Sequence, residues 1–279
     1  MSWRLLKKVT AASVAIGSVG GATFGICQFM LNETKTVFGA TAFVESKSNE
    51  WDHNWDQRAE TSILPVDGSA DKDSLVKKKI SATRHIILFR HGQYNLKGAA
   101  DGERILTEQG RDQAKFAGQR LSELKIPITE FVISTMARAQ ETGKIMLSQL
   151  PAHDKEHFSV RNDSLLEEGA PIPPIPEIGH WRPENSQFFQ DGSRIEAAFR
   201  AHFHRASPKQ LEDSYTVLVC HANVIRYFVC RALQFAPEAW LRMSLHHASM
   251  TWITIYPNGR VSMRLLGDCG FMPKQFLST

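Results

Sequence analysis

The spacing of apolar positions changes several times along this chain. Ile86-Ile87-Leu88-Phe89 and Val217-Leu218-Val219-Cys220 are unbroken apolar runs, as expected of strands covered on both faces. They predict strands over 84–90 and 215–220, with a shorter one over 131–134. Between them the period becomes helical. Ala114, Ala117, Leu121 and Leu124 share one face of a helix over 107–124, with Thr107 as its N-cap. Further helices are expected over 137–150, 194–205 and 222–233, the last turning Val224, Ile225, Phe228, Ala232 and Leu233 inward. Residues 170–183 are proline-rich and fit neither element. Strands over 250–256 and 260–266 are joined by the turn Pro257-Asn258-Gly259. The expected fold over 80–279 is a layered α/β sandwich with a mostly parallel central sheet.

The first 79 residues follow another pattern. Val9 to Leu31 holds 23 residues without a charge, long enough to span a ~30 Å hydrocarbon core as a helix rising ~1.5 Å per residue. Gly17, Gly21 and Gly25 form a small-residue stripe on one face, a surface for close helix contact in lipid. A transmembrane anchor over 1–31 is the preferred reading, and a mitochondrial import signal, helped by Arg4, Lys7 and Lys8, is compatible with it. The run is too long for the core of a secretory signal. Residues 32–79 read as a polar linker with one island, Trp51-Asp52-His53-Asn54-Trp55-Asp56. Its two indoles lie four apart on one face of a helical turn and are costly to leave in water. The residues themselves leave two docking partners open: the chain's own domain and a neighbouring subunit.

With 42% apolar residues the chain can build a full core, and a net charge of only +4 gives no broad basic surface for nucleic acid. Four cysteines without a Cys-x-x-Cys pair point to core packing rather than disulfides or zinc. His153 with His157, and His246 with His247, have no acidic or cysteine partners at ligand spacing and read as incidental.

The chemistry concentrates at strand ends. The first apolar run stops in Arg90-His91-Gly92; the short strand runs into Ser134 and reaches Arg138 at a helix start; the third apolar run ends in His221. In open α/β sheets ligands sit at such tips, and helix N-termini favour anions. A histidine can attack phosphorus, and an arginine fork can hold two phosphoryl oxygens. Arg90, His91, Arg138 and His221 can therefore converge on one phosphate.

Arg90-His91-Gly92, Leu106-Thr107-x-x-Gly110, Ser134-x-x-x-Arg138-Ala139-x-x-Thr142 and the late His221, in this order, resemble the histidine phosphatase (phosphoglycerate mutase-like) superfamily. The tryptophan island, Glu168-Gly169-Ala170-Pro171, the Cys220–Tyr227 segment and Gly267-Asp268-x-Gly270-Phe271-Met272-Pro273 narrow the resemblance to its mitochondrial protein phosphatases. The resemblance implies His91 as nucleophile, Arg90, Arg138 and His221 as phosphate ligands, and Glu168 as proton donor. On residue chemistry alone, Glu167 and Glu168 stay equivalent. It also implies phosphoserine and phosphothreonine protein substrates, with phosphohistidine as a further class; no cofactor or metal is expected, because the arginines supply the positive charge. Homodimers and higher homo-oligomers built through Trp51, Asp52, Asn54, Trp55 and Asp56 follow from it. So does a single-pass mitochondrial location, the outer membrane favoured over the inner. Gln93-Tyr94 departs from the Glu-Ser that mutases carry after Arg-His-Gly, which argues against a small phosphoglycerate substrate. Two rival expectations are a small-molecule phosphomonoesterase and a catalytically silent membrane scaffold.

Overall fold

The two apolar runs become neighbouring strands at the centre of a six-stranded sheet. In the computed structural model, which describes residues 50–59, 80–179 and 181–279, they are β1 (Arg84–Arg90) and β4 (Ser214–Cys220). The remaining strands are β2 (Glu130–Ser134), β3 (Ser159–Asp163), β5 (Met250–Ile255) and β6 (Val261–Asp268), in the order β3-β2-β4-β1-β5-β6. The sheet is mixed: β3, β2, β4 and β1 are mutually parallel, whereas β5 runs antiparallel to both β1 and β6. Ile86 through Phe89 are fully buried. Their unbroken apolar character comes from helices covering both faces.

The helices are α1 (Glu108–Glu123), α2 (Ala137–Gln149), α3 (Asn185–His202) and α4 (Ala222–Ala232). Thr107 caps α1 as expected, its hydroxyl accepting the Gly110 N–H at 3.1 Å. Ala117, Leu121 and Met146 pack from α1 and α2 onto Ile87, Phe89, Phe131, Ile133 and Val219 in one core. Each large apolar side chain buried there contributes roughly 1.5–3 kcal/mol.

Two elements differ from expectation. Helix α3 begins at Asn185, not Arg194, and ends at His202. Its first turns carry mostly polar groups, with only a partly buried Phe188 and an exposed Phe189, so no apolar period announces them; the buried face is confined to Ile195, Ala198, Phe199 and His202. Strand β3 was not expected at all. It is a largely exposed edge strand of sequence Ser-Val-Arg-Asn-Asp, paired only through β2.

The β5–β6 turn places Gly259 at φ +81°, where a side chain would be strained, and an added Cβ would lie 2.4 Å from the His53 carbonyl oxygen. That close approach brings in the segment after Trp51. The chain divides into Met1–Trp51 and Asp52–Thr279. Within the second unit, residues 52–59 lie against their own domain. Trp55 Nε1 donates to the Gly259 carbonyl at 2.8 Å, Gln234 exchanges two hydrogen bonds with the Asp52 backbone, and Arg205 pairs with Asp56 at 2.7 Å. Both members of that pair are buried, at 6% and 1% side-chain exposure. Of the two docking partners open for the indoles, Trp55 thus has its own domain. The expected anchor over 9–31 and most of the linker lie outside the described residues; among those described, no helix is long and apolar enough to cross a membrane.

Candidate active site

Strand order brings the expected residues together. Arg90 stands beside Cys220, and Ile133 beside Val219, so the C-terminal tips of β1, β4 and β2 are neighbours. His91, His221 and Ser134 therefore emerge on one edge of the sheet. Behind His91 the turn packs onto the start of α1 so closely that a Cβ on Gly92 would lie 2.4 Å from the Gly110 carbonyl oxygen. Only glycine admits this approach, and it fixes where the imidazole stands.

His91 is 2% exposed. Its Nδ1 faces the Gly92 carbonyl at 2.8 Å, and a carbonyl can only accept, so Nδ1 carries the proton. Arg138 Nε lies 3.2 Å from His91 Nε2, and arginine can only donate, so Nε2 presents its lone pair. Burial, then the neighbouring His221 ring and the Arg138 and Arg90 guanidiniums, hold the ring's pKa well below the ordinary histidine value. His91 is a neutral base with a defined tautomer.

Arg138 reaches it from the first turn of α2. Asp101, on a short 3-10 turn over Asp101–Glu103, accepts the Ala137 N–H at 2.8 Å and pairs with Arg138 Nη1 at 3.4 Å. One carboxylate thereby caps the helix and braces the arginine. The Tyr94 ring lies 4.7 Å from the Arg138 guanidinium and meets His91 edge-on at 5.0 Å. Thr142 completes the frame, accepting the Gly92 N–H at 3.0 Å and donating to the Arg138 carbonyl at 2.7 Å.

On the other side, the His221 ring lies 5.1 Å from that of His91. Its Nε2 is hydrogen-bonded to Ser134 Oγ at 2.8 Å. Burial and the surrounding arginines depress its pKa strongly. Arg90 donates from Nη1 to the Leu245 carbonyl at 2.5 Å, and its Nη2 stands 3.0 Å from His247 Nε2. Burial lowers Arg90 to about 10. His221 Nδ1, Arg90 Nε and Arg226 Nε are buried without a hydrogen-bond partner among the described residues. Buried polar atoms are seldom left so in native proteins, and all three suit a phosphoryl oxygen.

The structure separates the two glutamates. Glu167 accepts a hydrogen bond from the Thr135 hydroxyl. Glu168 belongs to the site: burial raises its pKa, while Arg138, Arg90 and the backbone of Gly169 and Asn223 oppose the rise. Arg194, whose guanidinium binds the carbonyls of Leu165, Glu167 and Glu168, fixes this turn and is itself braced by Asp191. Asn223, two residues past His221, donates to the Gly169 carbonyl at 3.0 Å.

All the residues expected from sequence, Arg90, His91, Arg138, Glu168 and His221, are thus gathered. Four others were missed or set aside: His247, Tyr94, Asp101 and Arg226. The reading of His247 as incidental is corrected, since its ring lies 5.6 Å from that of His91 and its Nε2 contacts Arg90. The missed signal was topological. Because β5 is antiparallel to β1, the residues just before β5 arrive at the same edge as the tip of β1.

Residues 86–171 and 173–267 match the family described as histidine phosphatase superfamily (branch 1). Over 284 residues the chain is 50% identical to the "Serine/threonine-protein phosphatase Pgam5, mitochondrial" of Drosophila persimilis, an alignment covering 98% of this chain and 96% of that protein. Its counterpart in Drosophila melanogaster is 53% identical over 235 residues, 82% of this chain and 80% of that one. Among solved structures, a phosphoglycerate mutase from Plasmodium falciparum is 30% identical, with a TM-score of 0.47, covering 67% of this chain and 91% of its own.

Proposed function

The chain belongs to the histidine phosphatase superfamily, and from that membership and the hydrogen bonds around His91 we propose that it is a mitochondrial serine/threonine-protein phosphatase working through a phosphohistidine. The observation that carries this reading is the tautomer of His91. With Nδ1–H committed to Gly92 and Nε2 facing Arg138, the ring presents an unprotonated nitrogen beside a cation.

In the first step His91 Nε2 forms a bond to phosphorus and the bond to the seryl or threonyl oxygen breaks. Arg90, Arg138 and His221 hold the non-bridging oxygens and offset their charge. The protonated Glu168 carboxyl gives its proton to the departing oxygen, a role supported by its raised pKa. In the second step Glu168, now a carboxylate, takes a proton from water. The water oxygen bonds to phosphorus, the N–P bond breaks, and His91 and inorganic phosphate are released.

Catalytic roles belong to His91, Glu168 and His221, and phosphate binding to Arg90, Arg138 and His221. The organisation is an anchor over 1–31, a linker over 32–79 and a phosphatase domain over 80–279. The names of the relatives support the mitochondrial placement. The uncharged run Val9–Leu31 supports a membrane anchor. Self-association through Trp51, Asp52, Asn54, Trp55 and Asp56 completes the reading; it requires the segment to engage a second copy as well as its own domain.

The test is phosphate release from a phosphothreonine peptide and from 3-phosphoglycerate, with EDTA present and His91→Ala as control. Peptide turnover that EDTA spares and the substitution abolishes supports the proposal. Turnover of 3-phosphoglycerate alone overturns it in favour of a small-molecule enzyme, and turnover of neither favours a silent scaffold.

A further inference from the structure

We propose that the C-terminal segment Lys274–Ser278 is a strap that positions the phosphate site, acting through Ser278 and His247 on Arg90 and through Gln113 on the turn after His91. The inference rests on the reading of Arg90 as a phosphate ligand.

The argument follows donors and acceptors. Arg90 Nη2 can only donate, so His247 Nε2, 3.0 Å away, must accept. The imidazole is then neutral with its proton on Nδ1, which donates to Ser278 Oγ at 2.9 Å. Gln113, fully buried, accepts the Gln93 N–H through Oε1 at 2.8 Å, which fixes its amide orientation. Its Nε2 then donates to the Phe276 carbonyl at 2.6 Å and to Ser278 Oγ at 2.8 Å. The Ser278 hydroxyl oxygen therefore receives two donors, one from each wall of the site. The His247 N–H donates to the Ser278 carbonyl at 2.9 Å, so backbone and side chain of the strap both hold the same loop.

That loop touches the machinery directly. Leu245 accepts from Arg90 Nη1, Ser249 accepts the Arg90 N–H, and the Ala248 N–H donates to the His91 carbonyl. Ala248 sits at φ +55°, a left-handed conformation uncommon for a residue with a side chain. Such a conformation persists where the surroundings over-determine it. The strap is docked independently of Ser278: Phe276 meets Phe116 edge-on at 5.1 Å, and Met272 is buried. Loss of the Ser278 hydroxyl therefore leaves the tail in place and removes only the tie. His247 and Ser278 are positioning residues; they act on Arg90 rather than on substrate.

The experiment uses the full-length chain and reads inorganic phosphate binding by ligand-induced thermal shift, alongside KM and kcat on a phosphothreonine peptide. Ser278→Ala is expected to weaken phosphate binding and raise KM by about tenfold, the scale of one ordinary hydrogen bond, with kcat changed less than about threefold. Ser278→Thr, which keeps the hydroxyl, restores both. His247→Phe keeps the ring and removes both nitrogens, and should give the same loss; combined with Ser278→Ala it adds nothing further, because the two lie on one path. Unchanged phosphate binding in a folded Ser278→Ala protein overturns the strap and leaves the phosphatase reading standing. Fully additive losses also overturn it. If Ser278→Ala does not fold, His247→Phe decides alone by the same reading. If wild type turns over the peptide without a phosphate-induced shift, the KM comparison decides the strap; wild type that turns over no peptide overturns both proposals.

Discussion

Arg138 donates its Nε–H to Nε2 of His91 across 3.2 Å. In the proposed mechanism Nε2 is the atom that attacks, and this contact sets a cation beside it. It also disfavours a proton on Nε2, which would destroy the nucleophile. The arginine is held for this purpose by Asp101 on one side and the Tyr94 ring on another.

Arg138→Lys keeps the charge but loses the planar fork and the Nε donor. It is expected to lower kcat/KM on a phosphothreonine peptide by about 10²–10³, with rapid-quench measurement showing slower phosphohistidine formation. A variant within threefold of wild type would show that charge alone suffices.

Glu168→Gln removes the proposed proton donor. An alkoxide leaving group needs that proton and a nitrophenolate hardly does, so kcat should fall by about 10²–10³ on the peptide and far less in the burst of nitrophenol from p-nitrophenyl phosphate. Glu167→Gln, whose amide oxygen can still accept from the Thr135 hydroxyl, should stay close to wild type. Equal losses on both substrates would refute Glu168 as the acid of the first step.

Stability should fall in acid through the buried histidines. Burial, then Arg90, holds His247 at about 3, against about 6.5 in the unfolded chain. Between these values the unfolded chain binds a proton that the fold refuses. This contribution is level above about pH 6.5 and is lost as pH falls towards 3. By pH 5 about 2 kcal/mol of it is lost. His91 and His221 act in the same direction. In urea melts at pH 7.5 and pH 5, His247→Phe should shrink the difference in unfolding free energy by about that amount. An unaltered difference would place the acid sensitivity elsewhere.

Asp56→Ala leaves the Arg205 guanidinium buried beside an apolar methyl. Breaking such a pair costs about 3–5 kcal/mol, here limited to the smaller cost of releasing residues 52–59 from the domain. Limited proteolysis should cut the variant between Asp52 and Ala59 while the domain stays intact. Trp55→Ala loses the indole donor to Gly259 and the packing on Phe199. It should shrink the assembly in sedimentation velocity and lower activity. An unchanged profile would refute the self-association role.

Much of the site was legible in the chain because each piece is local. An apolar run followed by Arg-His-Gly reports a strand, its tip and its chemistry within nine residues, 84–92. Arg138 and His221 were visible in the same way at the next two junctions. The choice of Glu168 over Glu167 could not be made from residue chemistry, since adjacent carboxylates are equivalent until a turn faces one inward. That turn is held by Arg194, which lies 26 residues beyond Glu168. Edge strand β3 and the polar start of α3 escaped for a related reason: neither buries enough apolar surface to leave a period.

The sequence by itself determined the α/β alternation, the strands at the sheet's centre and four of the side chains gathered at the candidate site. Short-range patterns of burial and backbone conformation suffice for these. Only the tertiary structure decided the antiparallel entry of β5, the approach of His247 to Arg90 and the tie from Ser278. It also decided the tautomer of His91. Those depend on groups as many as 188 positions apart, Arg90 to Ser278, brought together by strand order and by buried donors that must each find an acceptor.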